Sequence, residues 1–307
     1  MHYNTPRELL KAYKSGLKGT LCDPDDVSKL LGELKHPLFC TSAYTLSGSG
    51  KSKLSLPFNC VLKFDPSFGP SERQTTGDCV AHSTRNAVDV TRAVEICNGE
   101  KESFLTRGAT EAIYGDRGHS GQGMTCSKAA RFVNNSGGIL LRKDYGFIDF
   151  STYNSSIGIG WGRRGVPSNV QEESQKHQVK TISLINTIEA ARDAIANGYA
   201  MSVCSGYGFS SRRDKYGIAK SSGRWNHAMA WIGCDDTREI YNETLFLVQN
   251  SWGVWNSGPK RHGQPDGSFW IREKDAREML QHNGSWVFSN VDGFPPRKIN
   301  WTIGEVF

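Results

Sequence analysis

Three residues carry the chemistry available to this chain: a cysteine that opens a helical pattern, a histidine entering an apolar run, and an asparagine before Ser-Trp-Gly. They are Cys79 in Gln74-Thr-Thr-Gly-Asp-Cys79, His227 in Trp225-Asn226-His227-Ala-Met-Ala-Trp-Ile-Gly233, and Asn250 in Asn250-Ser-Trp252-Gly253. A thiol is a strong nucleophile only as its thiolate. A helix N-terminus favours that form through its dipole, and a neighbouring imidazolium favours it through charge pairing. An imidazole can take the thiol proton and hand it on, while a side-chain amide fixes its tautomer. Each residue alone has a plainer reading as a buried thiol, a core histidine or a turn asparagine. Together they are the parts of a thiol acyl-transfer site.

The elements needed to position them can be read around each. After Cys79, Val80, Ala87, Val90 and Val94 recur at helical spacing to about Cys97, which puts the sulfur at a helix start. A second helix is expected over residues 127–134, stopped by Ser136-Gly137-Gly138. A third is expected from Thr187, with Gly198 as its stop. Strand-like runs follow at 200–204, 228–233, 245–249 and 268–271, separated by turn residues. Residues 146–180 are rich in Gly, Ser and polar groups and read as irregular connection. Helices first and strands second describe an α+β chain of two halves.

Residues 1–55 read as an N-terminal extension. Thr5-Pro6 is a cap followed by proline at the first helical position, and a second amphipathic helix is expected from Asp25. Ser47-Gly-Ser-Gly-Lys-Ser52 reads as a flexible linker.

The bulk properties narrow the function classes. With 37% hydrophobic residues and no run near the ~18 apolar residues that span a bilayer, no membrane association is expected. The net charge of +6, from 37 basic and 31 acidic residues, includes only short clusters such as Arg163-Arg164 and Arg212-Arg213, so no nucleic-acid partner is expected. Met1 to Leu10 lacks the apolar centre of a secretory signal, which points to a cytoplasmic location or the interior of a virus particle. The Asn-x-Ser/Thr sites at Asn134, Asn154, Asn242, Asn283 and Asn300 carry correspondingly little weight. None of the eight cysteines forms a C-x-x-C pair, so no structural metal and no cofactor are expected, and the thiols are expected reduced and mostly buried.

The joint pattern resembles the papain-like cysteine peptidases, of a bacterial or phage-encoded type. That family pairs a Gln and a Gly-Ser-Cys-Trp-Ala motif with (Asp/Asn)-His-Ala before an apolar strand, and with Asn-Ser-Trp-Gly. This chain offers Gln74, Gly77-x-Cys79-x-Ala81, Asn226-His227-Ala228 and Asn250-Ser-Trp-Gly253. His227 and Asn250 lie 148 and 171 positions after Cys79, against a family spacing of roughly 130–150; residues 235–244 could lengthen that connection as an extended hairpin. Gly121-Gln122-Gly123 is similar to the family's substrate-lining Gly-Gly stretch, and Gly267-Ser-Phe-Trp-Ile271 to its strand after the asparagine.

The departures are specific. Gln74 lies five residues before Cys79 where the family has six, Val80 and His82 replace aromatic residues, and Thr76 and His119 stand where exported relatives carry a disulfide pair.

The resemblance implies a helical half (about 79–180) and a β-rich half (about 181–307) within a domain spanning 56–307, with a cleft between them. It also implies hydrolysis of a polypeptide substrate through a Cys79 thioester. His227 would be the base, Asn250 its orienter and Gln74 an oxyanion donor. Gly121, Gln122, Gly123, Trp225, Asn226 and Trp252 would line the substrate site, Trp252 also screening the His227–Asn250 pair from water. Two other readings use the same residues: a non-catalytic scaffold or virion component, and a transamidase or deamidase. The extension lacks the family's usual inhibitory pattern. It is expected to stay attached as an arm that docks to a larger assembly through Leu9-Leu10 and Leu30-Leu31.

Overall fold

The computed structural model describes residues 2–21, 23–69, 72–99, 106–282, 284–299 and 301. Cys22 and the Asn-x-Ser/Thr asparagines Asn283 and Asn300 lie outside them. The chain begins with α1 (Pro6–Lys14), β1 (Thr20–Leu21), α2 (Pro24–Glu33), α3 (Phe39–Ser42), β2 (Leu54–Ser55) and α4 (Phe58–Phe64). Then come α5 (Cys79–Cys97), α6 (Glu111–Gly115), β3 (Met124–Thr125), α7 (Cys126–Arg131), α8 (Ser155–Trp161) and α9 (Ser168–Gln175). The remaining elements are β4 (Thr181–Leu184), α10 (Ile188–Ala196), β5 (Met201–Arg213), β6 (Ala219–Asp235), β7 (Leu245–Gln249), β8 (Ser268–Arg272), α11 (Glu273–Leu280) and β9 (Trp286–Ser289). A seven-stranded antiparallel sheet in the order β4-β9-β5-β6-β7-β8 takes in most of the strands, its seventh member β2 being added to β6. Helices before strands therefore hold as an α+β architecture. Among the described residues no helix is long and apolar enough to cross a membrane.

The helix α5 is the pivot of the molecule. It is buried on nearly every side, and several of its polar residues find partners across the fold. Ser83 Oγ meets Ser202 Oγ of β5 at 2.7 Å, and Thr91 Oγ1 accepts from the Ala200 N–H at 3.0 Å. Asp89 accepts the Gly108 N–H, and Glu95 accepts from Asn290 and Arg297. These bonds fix the helix against β5 and the C-terminal strand region, so its first residue, Cys79, has a defined place.

Four expectations are corrected by the structure. The β5–β6 pair is far longer than the two short runs expected, because the turn lies at 214–218 and both arms continue with bulges. The long hairpin is this one; the connection at 236–244 is a loop whose Arg238, Tyr241 and Asn242 take positive φ. The stretch 146–180 contains α8 and α9, each started by a local signal: the Asn154 side chain caps α8, and Pro167 immediately precedes α9. Residues 47–52 are no linker. Asp193 accepts the Gly48 and Gly50 N–H groups, and Asp236 accepts that of Ser52, so two carboxylates pin the glycine turns to the domain.

A further correction concerns the extension. Leu9 and Leu30 are fully buried against the domain, so the two apolar faces assigned to an external docking arm are already used inside the fold. Thr5 caps α1 as expected, and Asp23 caps α2 by accepting from the Asp25 and Asp26 N–H groups. The α2 helix is then held on α7 by Asp26, which pairs with Arg131 at 2.9 Å and accepts from Thr125. Between these two helices the chain runs through the cleft. Gly19 donates its N–H to the Asn226 carbonyl (2.9 Å) and accepts from the Met124 N–H (3.3 Å), while β1 pairs in parallel with β3.

The thiols also differ from expectation. Cys126 and Cys204 form a disulfide, with Cα atoms 6.5 Å apart. Cys40, Cys60, Cys79, Cys97 and Cys234 are free. The two bonded residues come together because α7 packs on β5, a pairing that sequence spacing does not reveal.

Candidate active site

Cys79 is the first residue of α5, and its sulfur accepts the Ala228 N–H of β6 at 3.4 Å. His227 is the preceding residue of that strand. Its Nε2 meets Asn250 Oδ1 at 2.8 Å, just past the end of β7, where the pairing of Ala230 with Gln249 brings the two strands side by side. His227 Nδ1 is buried with no hydrogen-bond partner among the described residues. One ring nitrogen is thus committed to the asparagine and the other is left available. The Trp252 ring lies over the histidine with centroids 4.8 Å apart, and Trp225 and Trp255 pack on Trp252 in turn. This aromatic layer keeps water from the His227–Asn250 hydrogen bond.

Gln74 is brought to the same place despite its shorter spacing. Its backbone N–H donates to the Ser251 carbonyl (2.8 Å), tying the loop before Cys79 to the strand end that carries Asn250. Its side-chain oxygen accepts from Ser251 Oγ and from Trp252 Nε1 at 3.1 Å, which turns the amide nitrogen inward. That nitrogen donates one of its two hydrogens to the Thr76 carbonyl at 2.7 Å. The loop itself is anchored two residues earlier. Glu72 is gripped by both ends of the Arg142 guanidinium at 2.8 and 2.9 Å, and Arg142 also binds Glu111. Burial works against the Glu72 carboxylate, yet Arg85 and Arg142 hold it down at about 2.

The other expected lining residues divide. Gly123, at positive φ, donates its N–H to the Gly77 carbonyl, and a Cβ there would collide with the Lys18 carbonyl, so glycine permits the close approach of the extension. Gln122 packs beside Gly77 at the cleft edge. Asn226 offers its carbonyl to Gly19. Gly121 is exposed, and its carbonyl accepts from Arg117 Nε at 2.8 Å. Trp225 is fully buried within the aromatic layer and forms no part of the groove surface.

Tyr13 was not singled out by the sequence reading, and it occupies the centre of the site. It is 2% exposed, with its ring 4.7 Å from that of His227 and 5.3 Å from that of Trp252. Its hydroxyl faces the Cys79 sulfur and the Gln74 amide. The four-residue spacing of Leu9 and Tyr13 was the available signal: it marks a face of α1 that must be covered, though not by what. Asp78 and Tyr153 were also missed. The Tyr153 hydroxyl donates to Asp78 Oδ2 at 2.7 Å beside the nucleophile, and Asp78 lies 3.5 Å from His82 Nε2.

With Tyr13 in place the site is dry. Burial pushes the Cys79 thiol up to about 12, against the opposing pull of the nearby Tyr13 hydroxyl and of the Ala228 N–H. Burial likewise pushes His227 down to about 3, although the Asn250 bond favours its charged form. The two groups are therefore a neutral thiol and a neutral imidazole in this closed arrangement.

No protein-family model and no curated protein sequence matches the chain. Solved structures do. Xylellain, a cysteine protease from Xylella fastidiosa, is 16% identical with a TM-score of 0.52, over 78% of this chain and 86% of its own. Digestive procathepsin L 3 of the Tenebrio molitor larval midgut is 12% identical with a TM-score of 0.55, over 94% of this chain and 83% of its own. Digestive procathepsin L2 proteinase from the same tissue is 14% identical with a TM-score of 0.54, over 94% and 84%. The chain has the fold of the papain-like cysteine proteases.

Proposed function

We propose that this chain is a cysteine-type endopeptidase whose own N-terminal segment closes the groove. The observation that carries the reading is the occupant of the groove. An extended stretch of polypeptide lies there, hydrogen-bonded to Met124 on one wall and to Asn226 on the other, beside a helix-opening cysteine and a paired His–Asn. A groove that holds backbone in this way is built for peptide substrates, because main-chain hydrogen bonds give affinity without demanding a particular sequence.

In the reaction, residues 13–21 leave and water and substrate enter. Removal of the desolvating cover lets His227 take the Cys79 proton, and the helix N-terminus favours the thiolate that results. The thiolate attacks the scissile carbonyl carbon. The Cys79 N–H and the second hydrogen of the Gln74 amide bind the oxyanion, each donor worth about 2.7–4 kcal/mol. His227 then protonates the leaving amine, and a water activated by the same imidazole hydrolyses the thioester. Asn250 keeps the imidazole in the tautomer that leaves Nδ1 toward the sulfur, under the cover of Trp252.

A second reading is favoured by one observation: Cys79 and His227 are both fully buried and both held neutral, the state of a site that does no chemistry. A papain-like scaffold with a permanently closed groove would look the same. Peptide-library cleavage separates the two. The wild type, the full-length Tyr13→Ala variant and a chain lacking residues 1–21 are compared with Cys79→Ala versions of each. Turnover that appears on opening and vanishes with the cysteine supports the peptidase. No turnover from either opened form, with Cys79 alkylated no faster than an ordinary thiol, refutes it.

A further inference from the structure

The Cys126–Cys204 disulfide joins the same two walls that grip the N-terminal segment, one step beyond the grip itself. Gly19 is suspended between these walls by one hydrogen bond to each: its carbonyl accepts from Met124, and its N–H donates to Asn226. Cys126 lies two residues after Met124, at the start of α7. Cys204 is the register partner of Ala228, which lies two residues after Asn226 on β6. The covalent link and the paired hydrogen bonds thus span the same gap, and Ala228 is also the residue whose N–H meets the Cys79 sulfur. Gly19 itself sits so close over the nucleophile that a Cβ there would collide with the Tyr13 hydroxyl and the Cys79 sulfur. Small changes in wall spacing therefore act directly on the plug.

The bond is also reachable. Cys126 and Cys204 line a pocket of about 350 Å³ together with Thr20, Leu21, Asn226 and His282. Cys204 keeps 8% of its surface exposed. A small dithiol can enter there while the segment is still in place.

We propose that Cys126–Cys204 is a redox-sensitive clamp across the cleft, and that its reduction loosens the hold on residues 13–21. A dithiol reductant supplies the two electrons. Its thiolate attacks one sulfur of the bond and forms a mixed disulfide, releasing the other protein sulfur as thiolate. Its second thiol then displaces the first protein sulfur. The reductant leaves as a cyclic disulfide, and its two protons end on Cys126 and Cys204. A covalent tether between α7 and β5 becomes two thiols in mere contact, so the walls can separate and Gly19 loses one or both of its partners. The proposal rests on the groove being the site that the segment closes, while its test reads the segment and needs no peptidase activity.

The experiment follows amide hydrogen exchange in the full-length chain carrying Cys79→Ser, which excludes self-cleavage and oxidation of that thiol. The Gly19 and Met124 amides are measured after preparation without reductant, after dithiothreitol treatment, and in the added Cys126→Ser/Cys204→Ser pair. Exchange at both amides is expected to rise at least tenfold on reduction. The serine pair should match the reduced protein and ignore dithiothreitol. Equal rates before and after reduction would overturn the clamp, as would mass mapping that finds both cysteines as free thiols without reductant. Equal acceleration of the α5 core amides would also overturn it, since the bond would then be a general stabiliser. Dithiothreitol acting on the wild-type cysteine pair keeps the test valid if the serine variant fails to fold.

Discussion

Replacing Tyr13 by alanine tests the closed site most directly. The ring is 2% exposed and packs on the rings of His227 and Trp252 at 4.7 and 5.3 Å. Truncating a buried aromatic side chain costs about 3–5 kcal/mol. The low end applies here, because the phenol hydroxyl regains water when the segment swings out and so opposes its own burial. A loss of about 3 kcal/mol in closure raises the open population by a factor of about 10², at 1.36 kcal/mol per decade. If Cys79 reacts only from the open state, its alkylation rate rises by the same factor. Tyr13→Phe keeps the ring and removes only a buried hydroxyl that has no hydrogen-bond partner among the described residues, so its rate does not rise above that of the wild type. The assay is the second-order rate of iodoacetamide alkylation, mapped by mass spectrometry without reductant. The exposed thiol of Cys40 serves as an internal control whose rate does not change. Cys79 labelling in Tyr13→Ala at the wild-type rate, with Cys40 constant, would refute the claim that this ring is what closes the site.

Acid should open the groove. His227 sits near 3 when covered, chiefly through burial and against the pull of the Asn250 hydrogen bond, compared with about 6.5 in water. Opening therefore takes up a proton between those values: closure is complete above about 6.5 and weakens by up to tenfold per pH unit as pH falls toward 3. A ¹⁹F signal from fluorotyrosine at position 13 should shift from bound to free over that window, and a pH-independent signal would contradict the account. Asn250→Ala in an opened chain should lower peptide turnover about tenfold with little change in KM, since only the imidazole's orientation is lost; a KM effect alone would place Asn250 in substrate binding instead. Arg142→Leu leaves Glu72 and Glu111 buried without their shared cation, and should cost about 3–5 kcal/mol in denaturant unfolding. A loss below 1 kcal/mol would mean that Arg85 suffices to hold the Gln74 loop.

What the sequence determined by itself was local. Asp78-Cys79 before an apolar-periodic run determines a thiol at a helix start, because helix periodicity and its N-terminal dipole are properties of consecutive residues. Thr5-Pro6, Thr187 and the run at 245–249 likewise specified their elements, since a cap or an unbroken apolar strand needs nothing distant to form. The partnership of Cys79, His227 and Asn250 was legible only as a joint pattern; their meeting depends on the β6–β7 register and on α5 being pinned to β5. Tertiary structure alone decided the fate of the first 55 residues. Leu9, Tyr13 and Leu30 announce faces that require cover, but an amphipathic face does not say which surface it will meet. The glycine turns at 48–52 look flexible until Asp193 and Asp236, more than 140 residues away, accept their N–H groups. Cys126 and Cys204 pair for the same reason: a disulfide depends on the distance between Cα atoms in the fold, and a separation of 78 residues in sequence leaves that distance undetermined.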